Sequence, residues 1–113
     1  MKYLLIISMD ITSPKEDLFN EVYDTEHIPA ILKVPGVEQV WRYKLEPMKM
    51  NFGSEIVEVD QSTEPKYTAV YEIEGPHVLE TAAWGEAVQF GRWPNEVRPH
   101  TSNRPFALRK LID

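Results

Sequence analysis

A histidine with two neighbouring carboxylates stands just before a proline, at the end of a predicted helix. The segment 23–29 carries Asp24, Glu26 and His27. An imidazole can take or give a proton near neutral pH, and an aspartate three residues earlier on a helix can accept a hydrogen bond that fixes its tautomer. We therefore interpret His27 as a candidate general base and Asp24 as the group that orients it.

The neighbouring side chains leave two interpretations of this histidine open. Phe19, Tyr23 and His27 are spaced four residues apart and so lie on one helix face. The imidazole can project from that face into a cavity, or it can cap the last helical carbonyls and pack on the two aromatic rings. The helix end and the carboxylates would raise its pKa, whereas burial would lower it. The sequence alone therefore does not assign its charge.

Aromatic side chains also alternate along two predicted strands. Trp41 and Tyr43 share one face of the first of these strands, and Tyr71 lies on the next. Residues in such a pattern usually belong to the core beneath the helices, which is the interpretation that we favour. They can instead form the wall of a substrate cavity together with Phe19 and Tyr23. In that case the hydroxyl of Tyr43 could polarise a substrate carbonyl.

A small cationic and aromatic cluster precedes the last predicted strand. It comprises Arg92, Trp93, Arg98, His100 and Arg104. We favour an ordered loop held by hydrogen bonds. The functional alternative is that this cluster forms a clamp for a substrate carboxylate, because guanidinium groups match the geometry of that anion, with Arg98 and His100 as the candidate binding residues.

These candidate residues need a scaffold, and the hydrophobic pattern predicts one with the order β-α-β-β-α-β. Right-handed connections fold that order into a ferredoxin-like α+β domain, a four-stranded antiparallel sheet with two helices on one face. The first helix should end or kink near His27, because Ile28 precedes a proline. The predicted strands are Lys2–Met9, Val37–Glu46, Tyr67–Glu74 and Pro105–Ile112, and the predicted helices run from about Pro14 to Glu26 and from Gly75 onward.

The predicted strands carry apolar residues on both faces, although the two helices cover only one. An uncovered apolar face indicates a partner surface, and the simplest partner is a second copy packed sheet to sheet as a homodimer. Arg42, Glu72 and Arg109 should lie on the same face and form ion pairs across the interface. The apolar residues predicted there are Leu4, Ile6, Val40, Val70, Ala107 and Leu111.

Residues 47–65 form a long connection with no firm structural signal. Connections of this length in a compact domain are often functional flaps. The residues from Ser54 to Asp60 could form a short strand, and the stretch from Met48 to Phe52 could close over the cavity as a lid.

Length and composition exclude several classes of function. The 113 residues fit a single domain, and a chain without cysteine has neither disulfides nor thiolate chemistry. A net charge of −6 without a basic stretch argues against nucleic acid and membrane partners, and no apolar run could span a bilayer. A cytoplasmic location is the default. The three histidines lack metal-ligand spacing and there is no glycine-rich phosphate loop, so we predict no metal and no cofactor.

The sequence resembles the dimeric α+β barrel superfamily, and within it the EthD-like branch. The similar segments are 23–29, 34–37, 42–43, 66–72 and 91–100. The resemblance implies two ferredoxin-like protomers paired sheet to sheet, each with a cavity between its sheet and its helices. Members include cofactor-independent monooxygenases, lactone isomerases, aromatic polyketide cyclases, haem-degrading enzymes and proteins of unknown activity. In the lactone isomerases a helix-end histidine serves as base, and His27 matches it, while Tyr43 also matches a family position.

We therefore hypothesise a small dimeric, cofactor-independent enzyme acting on a hydrophobic aromatic, polyketide or lactone metabolite. His27 would abstract a proton on the way to isomerisation or cyclisation, with Asp24 as orienter and Tyr43 as donor to the carbonyl. Cofactor-free oxygenation is a close alternative, since it too starts from a deprotonated substrate. A different class is a non-catalytic dimer that binds a small molecule or accompanies an enzyme. A cavity of roughly 300 Å³ beside His27 would favour the enzyme.

Overall fold

The computed structural model describes residues 2–113 and has the predicted ferredoxin-like architecture. The strands are β1 (Tyr3–Ile11), β2 (Val37–Lys44), β3 (Lys49–Asn51), β4 (Ile56–Glu58), β5 (Tyr67–Ile73), β6 (Thr101–Ser102) and β7 (Phe106–Lys110), and the α-helices are α1 (Glu16–Val22), α2 (Ile28–Ile31) and α3 (Ala82–Ala87). The main sheet is antiparallel, with the strand order β2-β5-β1-β7 and a short pairing of β6 with the end of β1. The fold class predicted from the sequence is confirmed.

The core lies between this sheet and the helices. Alternate residues of β1 and β5, among them Leu5, Tyr71 and Ile73, are buried beneath the helical layer. Phe19 and Val22 of α1 are also fully buried and belong to the same cluster. Burial of a large apolar side chain contributes on the order of 1.5–3 kcal/mol, so this layer holds α1 firmly over the sheet.

A β-bulge near the start of β2 reverses the faces that the sequence predicted for this strand. Val37 pairs with Ile73, but the register then shifts, so that Val40 lies opposite the buried Tyr71. One extra residue in one strand of a pair exchanges the two faces beyond it. Trp41 and Tyr43 consequently point to the open face of the sheet, where 41% and 56% of their surface is exposed. The prediction that they lie beneath the helices is wrong.

The first helix does not end at His27. It continues through a π-helical turn, Tyr23–His27, into α2, and Ile28 has helical dihedral angles of φ −62° and ψ −47°. The N–H of Ile28 bonds to the carbonyl of Tyr23, five residues back. The wider π-turn accommodates Pro29, which has no N–H and would clash with the carbonyl four residues back in a regular α-helix. At the point where the helix was predicted to end or kink, the structure has a π-bulge within a continuous helix.

The second helical segment of the chain is shorter and less regular than the sequence predicted. It begins with the 3₁₀ turn Pro76–Glu80 and continues into α3. The hydroxyl of Thr81 caps α3 by accepting a hydrogen bond from the N–H of Trp84 at 3.1 Å. The loop predicted after this helix contains a second π-turn, Trp93–Val97. The 3₁₀ turn Arg98–His100 follows it.

The segment 47–65 forms a hairpin and not a lid. Strands β3 and β4 pair with each other, and the short strand predicted from Ser54 to Asp60 corresponds to β4. Apolar side chains of the hairpin are exposed, including Phe52 at 62% and Ile56 at 73%. No residue of this hairpin borders the cavity beside His27, so the predicted lid is not formed in this structure.

The open face of the sheet carries the apolar residues that the sequence placed there, with one exchange. Leu4, Ile6 and Ala107 align on it, and Trp41 takes the place of Val40, which the bulge turns toward the helices. A homodimer through this face stays a prediction. Among residues 2–113, the structure contains no helix with the length and apolar character needed to cross a bilayer.

Candidate active site

His27 ends the first π-turn and lies in an aromatic cage, which is formed by the rings of Phe19, Tyr23 and Trp93. Its imidazole stacks on the indole of Trp93, with ring centroids 4.3 Å apart and planes 24° apart. The Tyr23 ring meets it edge-on at 4.9 Å. Phe19 closes the cage from behind, 5.4 Å from the ring of Tyr23. The helix stripe predicted from the sequence therefore exists, and the π-turn that carries both Tyr23 and His27 brings their rings into contact.

Burial keeps the imidazole of His27 neutral. Only 5% of the residue is exposed, and burial lowers its pKa from 6.5 to about 3, with the positive charges of Arg98 and Arg104 adding to the effect. Its Nδ1 atom has no hydrogen-bond partner among the described residues. A neutral imidazole has a lone pair that can accept a proton. The site thus holds a buried, unpartnered base in its uncharged form.

A cavity of about 300 Å³ borders His27, as the enzyme hypothesis expects. It lies between strands β1 and β5 and the helical segment that contains α3. Trp84 and Phe106 form part of its apolar wall. The residues with polar side chains in its lining include a histidine, two tyrosines, two arginines and a glutamine. These residues are Tyr23, His27, Tyr71, Gln89, Arg98 and Arg104.

The two tyrosine hydroxyls in the cavity wall form a buried pair. The oxygen atoms of Tyr23 and Tyr71 are 2.6 Å apart, and both residues are almost completely buried. Burial is the main reason why the pKa of each hydroxyl is raised, so both keep their protons. The pair holds two O–H donors, but the bond between them uses only one. The second proton is available to a ligand oxygen in the cavity.

A double-mutant cycle on the two tyrosines should show strong non-additivity. Removing one hydroxyl, as in Tyr23→Phe, leaves the hydroxyl of Tyr71 buried without its partner and should cost about 1–3 kcal/mol. The double variant leaves neither hydroxyl, so it should cost less than the sum of the two single variants. Urea unfolding measures all four free energies. Additive costs would show that the hydroxyls do not depend on each other.

The two arginines of the cavity differ in how they are held. A terminal nitrogen of Arg98 donates to the carbonyl of Val88 at 2.8 Å. The guanidinium carbon of Arg104 lies 5.5 Å from the ring centre of Phe106, and its Nε is buried without a partner. Among residues 2–113, neither guanidinium lies within 4 Å of a carboxylate oxygen.

Asp24 does not orient His27 in this structure. Its carboxylate is mostly exposed and accepts a hydrogen bond from the guanidinium of Arg42 at 2.9 Å. The bulge in β2 turns Arg42 toward the helices, where it also donates to Asn20 and lies 4.7 Å from the ring centre of Tyr23. The prediction that Arg42 forms an ion pair on the open face is therefore wrong. Arg42 instead supports the aromatic cage from behind.

Seven other residues named from the sequence divide between the cavity and other places. Tyr23, Tyr71 and Arg98 line the cavity with His27. Phe19 is buried behind Tyr23 and does not reach the cavity. His100 is half-buried at the end of its 3₁₀ turn and does not border the cavity, so a clamp by Arg98 and His100 is not formed. Trp41 and Tyr43, on the open face, are on the other side of the sheet.

Sequence reasoning missed Trp84 and Phe106 as parts of the site, and it placed Arg104 in the cationic cluster but not in the wall of this cavity. Arg104 precedes Pro105 and follows Asn103, which adopts a left-handed conformation with φ 49°. The side chain of Asn103 donates to the carboxylate of Asp10 at 3.2 Å, which ties this turn to the end of β1. An asparagine before Arg-Pro is a turn signal in the sequence, and it could have placed Arg104 near the end of β1.

Glu26, the second carboxylate beside His27, joins the two π-turns. Its carboxylate accepts from the backbone N–H of Arg92 at 2.9 Å and from the Nε of Arg92 at 2.7 Å. The hydrogen bonds from the Arg92 side chain are the main cause that lowers the pKa of Glu26. Gly91 passes directly against this carboxylate with φ 67°, a conformation that favours glycine. Arg92 therefore holds the turn that carries Trp93 and is not available to a ligand.

Gly91→Ala should destabilise the protein by roughly 1–2 kcal/mol, because a β-carbon at this position is strained and meets the Glu26 carboxylate. Gly85→Ala is the matched control. Gly85 lies in α3 with open space around the position of a β-carbon, so the change should stabilise by about 0.5–1 kcal/mol. Thermal unfolding of both variants tests the pair. Equal effects would contradict the proposed role of the turn at Gly91.

A larger groove of about 480 Å³ runs between α2 and α3, but it lacks the chemistry of the His27 cavity. Of its charged residues, Lys33 and Glu86 are exposed and Glu26 is bonded to Arg92, and Phe90 at its edge is 56% exposed. Among residues 2–113, no three histidine, aspartate or glutamate side chains are grouped so that they could hold a metal ion. The cavity beside His27 is therefore the candidate active site.

Comparisons with known proteins show the fold. No family model and no curated protein sequence matches the chain. A crystal structure of an EthD family protein from Bacillus halodurans has a TM-score of 0.61 at 12% identity, covering 99% of this chain and 100% of that chain. A proposed monooxygenase from Shewanella loihica gives the same TM-score and identity, covering 99% of this chain and 95% of that chain. The chain therefore has the same ferredoxin-like fold as an EthD family protein and a proposed monooxygenase.

Proposed function

We propose that this chain is a small cofactor-independent enzyme that removes a proton from a hydrophobic carbonyl compound, with His27 as the base. The observation that carries the proposal is the neutral imidazole, with its Nδ1 unpartnered, at the wall of a largely apolar cavity of about 300 Å³. A neutral imidazole can take a proton from a compound that is bound beside it. The single domain, the cytoplasmic location and the sheet-to-sheet homodimer stay predictions from the sequence.

The proton would leave the carbon next to the substrate carbonyl. His27 takes it, and the electron pair of the C–H bond moves onto the carbonyl oxygen to give an enolate. One O–H of the Tyr23–Tyr71 pair is not used in the bond between them and can donate a hydrogen bond to that oxygen. This is the role that the sequence assigned to Tyr43. Returning the proton to another carbon gives isomerisation. Attack of the enolate carbon on a second carbonyl gives cyclisation, and His27 then returns its proton to the alkoxide that forms.

A deuterium-exchange assay tests this proposal without knowledge of the natural substrate. Aromatic ketones and lactones with acidic C–H bonds are incubated with the protein in heavy water, and NMR measures loss of the proton next to the carbonyl. Wild type should accelerate exchange of at least one compound, and His27→Gln should abolish the acceleration. His77→Gln, which replaces an exposed histidine, should retain it. Exchange that is equally fast with His27→Gln would remove His27 from the mechanism.

One observation favours a second candidate, a non-catalytic small-molecule-binding protein. A pKa of about 3 makes His27 a weak base in the unliganded protein. If compounds bind in the cavity but none exchanges its proton, the binding protein is the better description. Cofactor-free oxygenation, the third possibility, would consume oxygen together with the bound compound and is measured with an oxygen electrode.

A further inference from the structure

The two arginines of the cavity differ from the others on the helix side of the sheet in having no anionic partner. Arg42 pairs with Asp24, and Arg92 pairs with Glu21 and Glu26. Within residues 2–113, Arg98 and Arg104 lie within 4 Å of no carboxylate. The chain has an excess of acidic residues, with a net charge of −6. Both arginines are half-buried in the wall of one cavity, and two like charges without a counter-ion there point to an anionic ligand.

The donors of these arginines are also incompletely used. Arg104 has a buried Nε with no hydrogen-bond partner, and the only bond of the Arg98 guanidinium in the described structure goes to the carbonyl of Val88. His27, with 5% of its surface exposed, is a second buried polar group without a partner in the same wall. Three polar side chains in the wall of one cavity therefore have hydrogen-bonding groups that no described residue satisfies. A single bound molecule could supply partners for them.

Apart from Gln89, the rest of the wall is apolar and aromatic. Trp84, Trp93 and Phe106 line it together with Ile7 and Met9. A cavity of about 300 Å³ is at the lower end of the range for small-molecule sites, which limits the ligand to a compact ring system.

We infer that the cavity binds an aromatic carboxylate, with Arg98 and Arg104 as counter-charges for the carboxylate and the aromatic wall around the ring. Guanidinium groups offer paired N–H donors that match a carboxylate. The inference rests on the proposed function, since it names the substrate class of the same site. It also gives a specific role to Arg104, which the sequence indicated only as one member of a cluster that could bind a carboxylate.

Ligand charge would also control the base. Burial and the two arginine charges lower the pKa of His27. A bound carboxylate would neutralise the charges of Arg98 and Arg104, and this would raise the basicity of the imidazole. The neutral imidazole should therefore be a stronger base when the acidic substrate is in place than in the unliganded protein.

Isothermal titration calorimetry with matched ligands tests the inference. The probes are benzoate and 2-naphthoate, each compared with its uncharged amide, near pH 7. Wild type should bind at least one carboxylate at least tenfold more tightly than its amide. Arg104→Gln and Arg98→Gln should each reduce this preference by at least fivefold, and Lys33→Gln, which removes an exposed charge, should leave it unchanged. Arg104→Lys should retain part of the preference, which separates charge from folding.

Several outcomes would overturn the inference. They are equal binding of carboxylate and amide, an unchanged preference in both arginine variants, and binding of neither probe at millimolar concentration. The proposed function fails separately. If carboxylates bind with the expected preference but no compound exchanges its proton, the ligand class holds and the enzyme proposal fails. If neutral ketones exchange through His27 and no carboxylate preference exists, the enzyme proposal holds and the ligand class fails.

Discussion

Lowering the pH from about 7.5 to about 5 should destabilise the wild-type protein by about 2 kcal/mol more than it destabilises a His27→Gln variant. Folding holds His27 neutral, because burial and two neighbouring arginines lower its pKa from 6.5 to about 3. In the unfolded chain the imidazole is solvated and binds a proton below about pH 6.5. Unfolding therefore takes up a proton in the window between these two pKa values.

The sign of this effect follows from which state binds the proton. Above about pH 6.5 both states are neutral, and His27 gives no pH dependence. As the pH falls through the window, only the unfolded state gains a proton, so the free energy of unfolding decreases. A shift from 6.5 to about 3 corresponds to roughly 4–5 kcal/mol if the window is crossed completely. Stability is thus present above pH 6.5 and is lost toward pH 3.

Urea unfolding at several pH values between about 5 and 7.5 measures the effect. Acidic residues also titrate in acid, but they are the same in wild type and in His27→Gln, so the difference between the two slopes isolates His27. His77→Gln removes an exposed histidine and should keep the wild-type slope. Parallel curves for wild type and His27→Gln would contradict a neutral, buried imidazole.

The sequence predicts the fold and the centre of the site because both depend on repeated patterns. The alternation in β1 and β5 and the four-residue spacing of Phe19, Tyr23 and His27 persist in the structure. Such patterns are redundant, so one irregular residue does not change the outcome. The ferredoxin-like order and the aromatic face beside His27 could therefore be predicted.

The wrong predictions arise from single-residue irregularities. The bulge between Val37 and Gln39 exchanges the faces of β2, and this one step moves Tyr43 out of the site and brings Arg42 toward the helices. The π-turn at Tyr23–His27 lets the helix pass Pro29. An inserted residue in a strand or a helix is stabilised by tertiary contacts, such as those of Arg42 with the aromatic cage, and local propensity does not indicate them.

Trp93→Ala should be the most destabilising single change in the cavity wall. Only 2% of Trp93 is exposed, and its indole contacts the rings of Phe19, Tyr23 and His27. Truncation of a fully buried tryptophan costs about 3–5 kcal/mol, because it removes apolar burial and leaves a cavity. For a domain of this size the melting temperature should fall on the order of 10–20 °C. Thermal unfolding followed by circular dichroism measures the change.

Trp84→Ala is the matched control, because Trp84 lines the same cavity but is only half-buried. Its loss should cost clearly less than the loss of Trp93. Trp93→Phe keeps an aromatic ring beside His27 and should recover part of the stability. Equal losses in Trp93→Ala and Trp84→Ala would contradict the central position of Trp93 in the cage.

Trp93→Ala, compared with Arg104→Gln, separates burial from positive charge as causes of the low pKa of His27. The indole stacked at 4.3 Å is part of what keeps water from the imidazole, so Trp93→Ala should raise the pKa of His27 from about 3 toward 6.5. Arg104→Gln removes a charge but leaves the stacking intact, and it should raise this pKa less, because burial is the larger cause. NMR titration of the His27 ring protons measures both shifts. A larger shift in Arg104→Gln would mean that charge controls the base more than burial does, and an anionic ligand would then activate it more strongly.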